Sequence, residues 1–246
     1  MLAIIGGSGL SRLATLEVTE RRAARTPYGE PSGVLMFGRI AGKPVVFLAR
    51  HGHAHTIAPH EVNYRANIWA LRDAGAARIV SVGSVGGIRK EYGPGALVVP
   101  DQLIDYTWGR ASTFFEGPDQ PVTHVDFTHP YSEVVRNAIL QAGVDCGERL
   151  FNGGTYAATQ GPRLETAAEI NRLERDGADL VGMTAMPEAV LARELGLDYG
   201  AIAVVVNQAA GRGSSAGGID LVEIEAMLQQ AMVRVCRIIE ALLART

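Results

Sequence analysis

Histidine and arginine side chains are concentrated in one stretch, ARHGHAHTIAPH at residues 49–60, which follows an apolar run. A metal site is one chemistry that fits, because His51, His53 and His55 would share one face of an extended strand. An anion site is the other, because the guanidinium of Arg50 and the imidazole N–H of His51 can both donate to phosphate oxygens. The neighbouring sequence lacks paired Cys, Asp or Glu residues, which favours the anion site and predicts no bound metal.

The remaining histidines of this stretch have a simpler interpretation. His53, His55 and His60 would also fit a surface position beside a helix that begins near Pro59. This alternative stays open from the sequence.

A second candidate for anion binding is IIGGSGL at residues 4–10, an apolar strand followed by glycines. A dinucleotide loop needs the pattern G-x-G-x-x-G, but counting from Gly7 places Arg12 at the third glycine position. A triphosphate loop needs a lysine directly after its last glycine, and the first lysine of the chain is Lys43. The loop fits a free anion held by backbone N–H groups and the Ser8 hydroxyl, or a tight turn without a ligand.

The elements that must position these residues follow from hydrophobic periodicity. Short apolar runs alternate with amphipathic stretches, which predicts an α/β fold forming a single domain over residues 1–246. Apolar runs on both sides of Ala41, Gly42 and Lys43 predict a hairpin, so the sheet is expected to be mixed.

Four residues of different chemistry mark the ends of predicted buried strands. They are Gly6, Gly83, Met183 and Asn207. In open α/β sheets ligands bind beyond the carboxyl ends of the strands. We therefore expect these four positions to surround one cleft.

Composition narrows the class of partner. The chain has 246 residues, 47% of them hydrophobic, and a formal net charge of −3 without a basic run, which argues against nucleic acid. Cys146 and Cys236 have no metal or redox spacing and are expected to be buried thiols in a reducing compartment. No apolar run has the length of a membrane span and the N-terminus lacks a signal-peptide pattern, so we expect a cytoplasmic protein that acts on a small molecule.

Four segments together resemble the family of trimeric purine nucleoside phosphorylases and methylthioadenosine phosphorylases. They are IIGGSGL, FLARHGHAHTIAPHEVNYRANIWAL, GTYAATQGPRLETAAEI and GADLVGMTAMPEAVLARELGL. The resemblance implies a mixed, distorted, barrel-like central sheet flanked by helices, assembled as a homotrimer. It also implies phosphorolysis, in which inorganic phosphate attacks C1′ of a nucleoside and releases a purine and a sugar 1-phosphate. Phosphate would be a co-substrate, and no metal or organic cofactor would be needed.

The resemblance assigns the phosphate end of the site. The implied phosphate ligands are Ser8, Arg50, His51, Ser84 and Thr184, with the backbone near Gly83. Met183 would lie beneath the ribose. Its position next to Thr184 fits, because the nucleophile and the sugar must be held within about 3.5 Å for in-line attack.

The family places its purine-reading side chain at the end of the strand AIAVVVN. Methylthioadenosine phosphorylases carry D-x-D there, whereas this chain has Asn207, Gln208 and Ala209. The Asn207 amide can donate to O6 of a 6-oxopurine and accept from N7–H of the leaving base. With adenine, the amino group of the base would face the Asn207 N–H, donor against donor, and an unpaired buried polar group costs about 1–3 kcal/mol. We expect Asn207 to be catalytic, Ala209 to lie beside the base, and hypoxanthine or guanine to be preferred.

Two further residues are implied at the base. Glu165 matches the glutamate with which 6-oxopurine phosphorylases accept from N1–H; alternatively it stabilises a helix dipole. Leu164 replaces a phenylalanine common in the family, so the base would pack against an apolar side chain without ring stacking.

The sugar end differs from ordinary nucleoside phosphorylases, which place a histidine near the start of the C-terminal helix. This chain has Ile219, which suits a 5′-methylthio group, or which simply covers the helix start. His124 matches the histidine that a neighbouring subunit contributes in the methylthio branch. A 6-oxopurine site joined to a methylthio pocket predicts 5′-methylthioinosine as the substrate.

Several alternatives stay open at this point. Within the family they are a general 6-oxopurine nucleoside phosphorylase and a methylthioadenosine phosphorylase. From other classes they are a non-catalytic purine or phosphate binder and a metal hydrolase built on the histidines of residues 51–55.

Overall fold

The computed structural model describes residues 1–10, 13–118 and 120–245; Arg12, which argues against a dinucleotide loop, lies outside these residues. The strands are β1 (Leu2–Gly6), β2 (Glu17–Arg22), β3 (Leu35–Ile40), β4 (Lys43–Ala49), β5 (Arg78–Gly87), β6 (Leu97–Val99), β7 (Gln102–Asp105), β8 (Leu150–Asn152), β9 (Thr155–Ala158), β10 (Leu180–Gly182) and β11 (Asp198–Gln208). The helices are α1 (Tyr64–Asp73), α2 (Glu133–Asp145), α3 (Ala167–Arg175), α4 (Ala185–Glu194) and α5 (Leu221–Ala244).

A parallel ladder of apolar strands forms the centre of the sheet. β1 pairs in parallel with β4 on one side and with β5 on the other, so that Ile4 lies between Phe47 and Val80. β11 runs parallel to β5 along the opposite edge of that strand. These strands are buried on both faces, which explains their continuous apolar sequences.

The sheet closes into a ring through short strands. β10 pairs with the end of β5 and then with β9, while β6 pairs with β11. β6 pairs in parallel with β8, beginning at Leu97 and Leu150, and β7 pairs in parallel with β9, ending at Asp105 and Ala158. Because β6 leads into β7 and β8 leads into β9, these pairs connect the β11 side of the sheet to the β10 side. The mixed, distorted, barrel-like sheet that the family resemblance implied is confirmed.

The predicted hairpin is present as β3 and β4. Its turn is shorter than expected, because Lys43 already pairs with Ile40 and only Ala41 and Gly42 connect the strands. Both turn residues have positive φ, 49° and 75°, as a two-residue hairpin turn of this hand requires.

Two expectations about individual positions are wrong in detail. Gly83 does not end its strand, since β5 loses its β1 partner after Val82 but continues to Gly87 alongside β11. Cys146 and Cys236 are free thiols as expected, but both are only partly buried at the edge of the core.

Helices cover both faces of the sheet. α1 packs with α4 on one face, and α2 packs with α5 on the other. Asp220 caps the start of α5, because its carboxylate accepts from the backbone N–H groups of Val222 and Glu223. None of the described helices is long and apolar enough to cross a membrane. The start of α5 reaches the carboxyl ends of the central strands, where the candidate site lies.

Candidate active site

A cavity of about 620 Å³ lies where β1, β4, β10 and β11 end. Every predicted site residue except His124 lines it. These residues are Ser8, Arg50, His51, Gly83, Ser84, Leu164, Glu165, Met183, Thr184, Asn207, Ala209 and Ile219. His124 is exposed and is not part of this wall. The predicted site residues therefore share one cavity, while the group that each one binds stays a prediction.

The glycine loop after β1 lies close to β5 and to the end of β4. The backbone N–H of Gly7 donates to the carbonyl of Val82 at 3.0 Å. A Cβ atom at Gly7 would lie 2.7 Å from Nη1 of Arg50, so no larger residue fits. The loop thus places Ser8 in the wall of the same cavity as Arg50.

The guanidinium of Arg50 is held mainly by the protein. It forms a bidentate ion pair with Glu188, and its Nη2 and Nη1 also donate to Ser81 Oγ at 2.6 Å and to the carbonyl of Val82 at 3.0 Å. Burial alone would lower the pKa of Arg50, but the Glu188 carboxylate outweighs this effect and raises it. A guanidinium has five N–H groups and four are occupied, so one on Nη1 is left for a ligand. The Nε and Nη2 side of the guanidinium binds Glu188, so Arg50 can offer a phosphate only this one N–H, and its role in phosphate binding stays a prediction.

A hydrogen bond to Ile57 determines which ring nitrogen of His51 carries the hydrogen. Its Nδ1 lies 2.8 Å from the carbonyl oxygen of Ile57, and because a carbonyl only accepts, Nδ1 carries the hydrogen. Burial and the neighbouring charge of Arg50 lower the pKa of His51 to about 4, so the ring is neutral at neutral pH. Nε2 then offers a lone pair. A P–OH group of a phosphate can donate to this lone pair, and the role of His51 in phosphate binding stays a prediction.

The remaining histidines His53, His55 and His60 are all exposed, as the surface interpretation requires. His55 also lines the cavity, and its Nε2 lies 3.3 Å from Ser8 Oγ. Gly52 and His55 have positive φ, 75° and 53°, and the chain turns instead of extending. The three alternating histidines therefore do not share a strand face, and the described part of the chain contains no cluster of three or more His, Cys, Asp or Glu side chains suited to a metal ion.

Gly83 and Ser84 on β5 and Thr184 after β10 line the end of the cavity that is predicted to bind phosphate. Thr184 Oγ1 lies 3.7 Å from the position that a Cβ atom would take at Gly83, and Ser84 lines the same wall. Within the described contacts the Thr184 side chain does not cap α4. The Tyr156 hydroxyl supports this turn by accepting from the backbone N–H of Thr184 at 3.4 Å.

A bulge in β11 orients Asn207. Val205 pairs with Val85 and Asn207 with Gly86, so Val206 is an extra residue between them. Bulges commonly redirect side chains beside active sites. Asn207 Nδ2 donates to the carbonyl of Gln208 at 2.6 Å, which fixes the amide orientation and leaves one N–H and Oδ1 for a ligand. The amide thus retains the donor and acceptor pair that purine recognition requires.

The structure distinguishes between the two interpretations of Glu165. α3 begins at Ala167 with a capping box made by Thr166 and Glu169, so Glu169 supplies the negative charge in the first turn. Glu165 precedes the helix, lines the cavity, and accepts from the Thr159 hydroxyl at 2.6 Å through Oε1. Its second oxygen remains available. The geometry favours a ligand contact over a helix-dipole role for Glu165.

The sugar end is apolar. Met183 packs against Gly161, where a Cβ atom would lie 2.4 Å from the Met183 sulfur, so a glycine is required there. Ile219 is joined in the wall by Leu221 and Ile224 from the first turns of α5. Sequence reasoning missed these last two, although their apolar side chains at the start of an amphipathic helix could have indicated them.

The residues that hold Arg50 were also missed. Glu188 is a lone carboxylate within the apolar segment AMPEAVLA, which could have indicated a buried cation partner. Ser81 and Tyr199 each donate a hydroxyl hydrogen to Glu188 Oε1, at 2.7 and 2.8 Å. No sequence signal distinguishes these two from ordinary strand residues.

The closed sheet and a cavity at its strand ends are features that known proteins share. The family model of the phosphorylase superfamily matches residues 1–244, and the chain belongs to this family. The resemblance stated from the sequence is thereby confirmed.

Individual relatives narrow the class further. The chain is 55% identical over 214 residues to a probable S-methyl-5′-thioinosine phosphorylase from Xanthomonas campestris pv. campestris, covering 87% of this chain and 86% of the relative. It is 46% identical over 215 residues to a 6-oxopurine nucleoside phosphorylase from Pyrococcus furiosus, covering 85% and 80%. A solved methylthioadenosine phosphorylase from Schistosoma mansoni in complex with adenine has a TM-score of 0.94 at 31% identity, covering 99% and 91%. The predicted enzyme class, a nucleoside phosphorylase that transfers a pentosyl group, is confirmed.

Proposed function

We propose that this enzyme catalyses the phosphorolysis of S-methyl-5′-thioinosine to hypoxanthine and 5-methylthioribose 1-phosphate. One observation carries the proposal: a single cavity joins the Asn207 amide and the Glu165 carboxylate to the apolar side chains of Ile219 and Leu221. The first pair suits a 6-oxopurine, and the second pair suits a thioether. The similarity to the probable S-methyl-5′-thioinosine phosphorylase from Xanthomonas supports the same substrate.

The phosphate end would bind and orient the nucleophile. Hydroxyls of Ser8, Ser84 and Thr184 and the remaining N–H of Arg50 donate to phosphate oxygens, while His51 Nε2 accepts from the P–OH group. An oxygen of the bound phosphate attacks C1′ as the bond from C1′ to N9 breaks, and Met183 packs beneath the ribose. The proposal requires inorganic phosphate and neither a metal ion nor an organic cofactor.

The base end would accept the electron pair of the broken bond. Negative charge develops on the purine in the transition state, and N7 is protonated as the base leaves. Atoms and charge balance in the overall reaction with monohydrogen phosphate, because its proton ends on hypoxanthine and the sugar phosphate leaves as a dianion. Asn207 Oδ1 accepts from N7–H and its free N–H donates to O6, while Glu165 accepts from N1–H.

The sugar end would select the 5′ substituent. Ile219, Leu221 and Ile224 provide apolar contact to a methylthio group. A 5′-hydroxyl would lose its water there without gaining a hydrogen-bond partner, which disfavours inosine.

Assembly as a homotrimer and a cytoplasmic location belong to the same proposal. Trp108 and Val122, in the segment that carries His124, are 72% and 83% exposed, and Leu164 at the cavity edge is 42% exposed. Exposed apolar side chains of this kind support burial by another copy, which would bring His124 to a neighbouring cavity. The two free cysteines support a reducing compartment.

Steady-state phosphorolysis of four nucleosides tests the proposal. We expect kcat/KM to be highest for methylthioinosine and lower for methylthioadenosine, inosine and guanosine, with no effect of a chelator. A higher value for methylthioadenosine would overturn the base assignment, and a higher value for inosine would make the chain a general 6-oxopurine phosphorylase. Absence of phosphate-dependent base release would leave a binding protein. Analytical ultracentrifugation tests the trimer.

A further inference from the structure

Arg110 lies behind the cavity wall, in the segment between β7 and α2. Its Nη1 donates to the carbonyls of Met183 and Met186 at 2.8 and 2.6 Å. Its Nη2 donates to the carbonyl of Gln160 at 2.8 Å, and its Nε to the Gln160 side-chain oxygen at 3.2 Å. One guanidinium therefore spans two backbone segments that are distant in sequence.

The two segments carry opposite ends of the proposed substrate site. Residues 159–165 include the hydrogen-bonded pair of Thr159 and Glu165, which would contact the purine. Residues 183–186 include Met183 and Thr184, which would contact the ribose and the phosphate. The separation between the base and the nucleophile is thus set partly by Arg110.

Arg110 also contacts a third part of the wall. Its Nη1 lies 3.3 Å from the Tyr64 hydroxyl, which donates to the carbonyl of Pro59 at 2.8 Å, and Pro59 lines the cavity. The guanidinium carbon lies 5.4 Å from the centre of the Tyr64 ring. Three wall segments therefore meet at one side chain.

The partners of Arg110 are all neutral. Within the described residues no carboxylate lies at ion-pair distance from it, in contrast to Arg50 with Glu188. Its hydrogen bonds depend on a rigid planar fork, which a lysine ammonium cannot reproduce. The shape of the group, and not only its charge, is needed to span both segments.

We infer that Arg110 is a positioning residue for phosphorolysis, which holds the purine-binding segment 159–165 and the ribose- and phosphate-binding segment 183–186 at the separation required for in-line attack. The inference rests on the proposed function. A misplacement of about 1 Å can lower a rate about 100-fold. We therefore expect loss of Arg110 to lower kcat by about this factor, with smaller changes in the two KM values.

The test compares Arg110→Lys, Arg110→Met and Arg110→Ala with wild type under saturating phosphate and methylthioinosine. Arg65→Met is the matched control, because Arg65 ties α1 to the same segment through the Thr113 carbonyl and Glu116 and contacts no residue of segments 159–165 or 183–186 in the described structure. We expect Lys and Met at position 110 to lower kcat alike, Arg65→Met to leave it within about twofold, and added guanidinium to raise kcat of Arg110→Ala only.

Three results would overturn the inference: wild-type kcat in Arg110→Lys, an equal loss in Arg65→Met, or no gain of Arg110→Ala with guanidinium. Circular dichroism and thermal unfolding report the folding of each variant, and Arg110→Lys carries the test if the smaller variants do not fold. If the wild type releases no base from any nucleoside, the proposed function fails separately. In that case the role of Arg110 is tested by measuring the affinity for hypoxanthine by calorimetry. We expect this affinity to fall in Arg110→Met and to be unchanged in Arg65→Met.

Discussion

Arg50 and Glu188 form a bidentate ion pair, with Nε and Nη2 of the guanidinium 2.7 and 2.9 Å from the two carboxylate oxygens. The side chains are only 1% and 0% exposed. A buried ion pair is favourable only when further hydrogen bonds compensate the loss of water, and Ser81 and Tyr199 provide them. The pair therefore holds the arginine in one orientation, with a single N–H left for the cavity.

Replacing Glu188→Gln is expected to destabilise the fold by about 3–5 kcal/mol, because the charge of Arg50 would remain buried without a counter-ion. The KM for phosphate should rise as well, since the guanidinium would lose its fixed orientation. Denaturant unfolding and initial rates at varied phosphate measure both effects. Glu91→Gln, in the exposed pair with Arg89, is the control and should change neither quantity. A Glu188→Gln variant as stable as wild type would contradict this account.

Asn207→Asp is expected to shift selectivity towards adenine nucleosides. A carboxylate accepts from the adenine amino group, whereas it repels O6 of hypoxanthine. The mismatch of one buried polar contact costs about 1–3 kcal/mol, or about fivefold to 150-fold in the ratio of kcat/KM values for methylthioadenosine and methylthioinosine. Unchanged selectivity would show that Asn207 does not read the base.

Glu165→Gln should also change the selectivity between methylthioinosine and methylthioadenosine, through N1 of the purine. Because Thr159 donates to Oε1, the new NH₂ group would occupy the second position and face N1 of the purine. Hypoxanthine carries a hydrogen on N1 and adenine a lone pair, so activity with methylthioinosine should fall and activity with methylthioadenosine should rise. Competition between the two nucleosides measures the ratio.

Glu169→Gln is the matched control for this variant. Glu169 lies four residues further along the chain, in the first turn of α3, and serves the capping box of that helix, a role that glutamine also fills. It should leave the ratio unchanged. An equal shift in both variants would mean that the loop conformation, and not the Glu165 carboxylate, determines the preference.

Ile219→His is expected to raise kcat/KM for inosine relative to methylthioinosine, because an imidazole would give the 5′-hydroxyl a hydrogen-bond partner. Val222→His is the control: Val222 is exposed, lies on the same helix start and does not line the cavity. The same substrate ratio in Ile219→His and wild type would count against Ile219 as the residue that selects the thioether.

Buried strands were predictable because their apolar runs are continuous. β1 and β11 pair with apolar neighbours and most of their residues are buried, and β5 between them is buried from Ile79 to Val82. β2 was not predictable, since all six of its residues are exposed at the sheet edge and show no alternation. The closure of the ring was implied by the family resemblance alone, because β7 and β8 are too short to give a periodic signal.

The candidate site was predictable to the extent that its residues follow strand ends. The pairing of Arg50 with Glu188 was not, because partners 138 residues apart leave no local pattern. The orientation of His51 was also out of reach, since it depends on the carbonyl of Ile57, and a backbone carbonyl is present at every position. Residue types thus indicated which side chains share the cavity, while the direction of each hydrogen bond required the folded chain.

The neutral state of His51 predicts a pH dependence of stability. Burial and the charge of Arg50 lower its pKa from 6.5 to about 4. As the pH falls below 6.5, the unfolded chain takes up a proton that the folded chain cannot, so the folded state loses stability until the pH reaches about 4. A shift of this size corresponds to about 3 kcal/mol. His51→Gln keeps a donor for the carbonyl of Ile57 but does not titrate, so its free energy of unfolding should fall less over this range. Urea unfolding of both proteins across that pH range measures the difference, and parallel pH profiles would mean that His51 is charged in the folded protein.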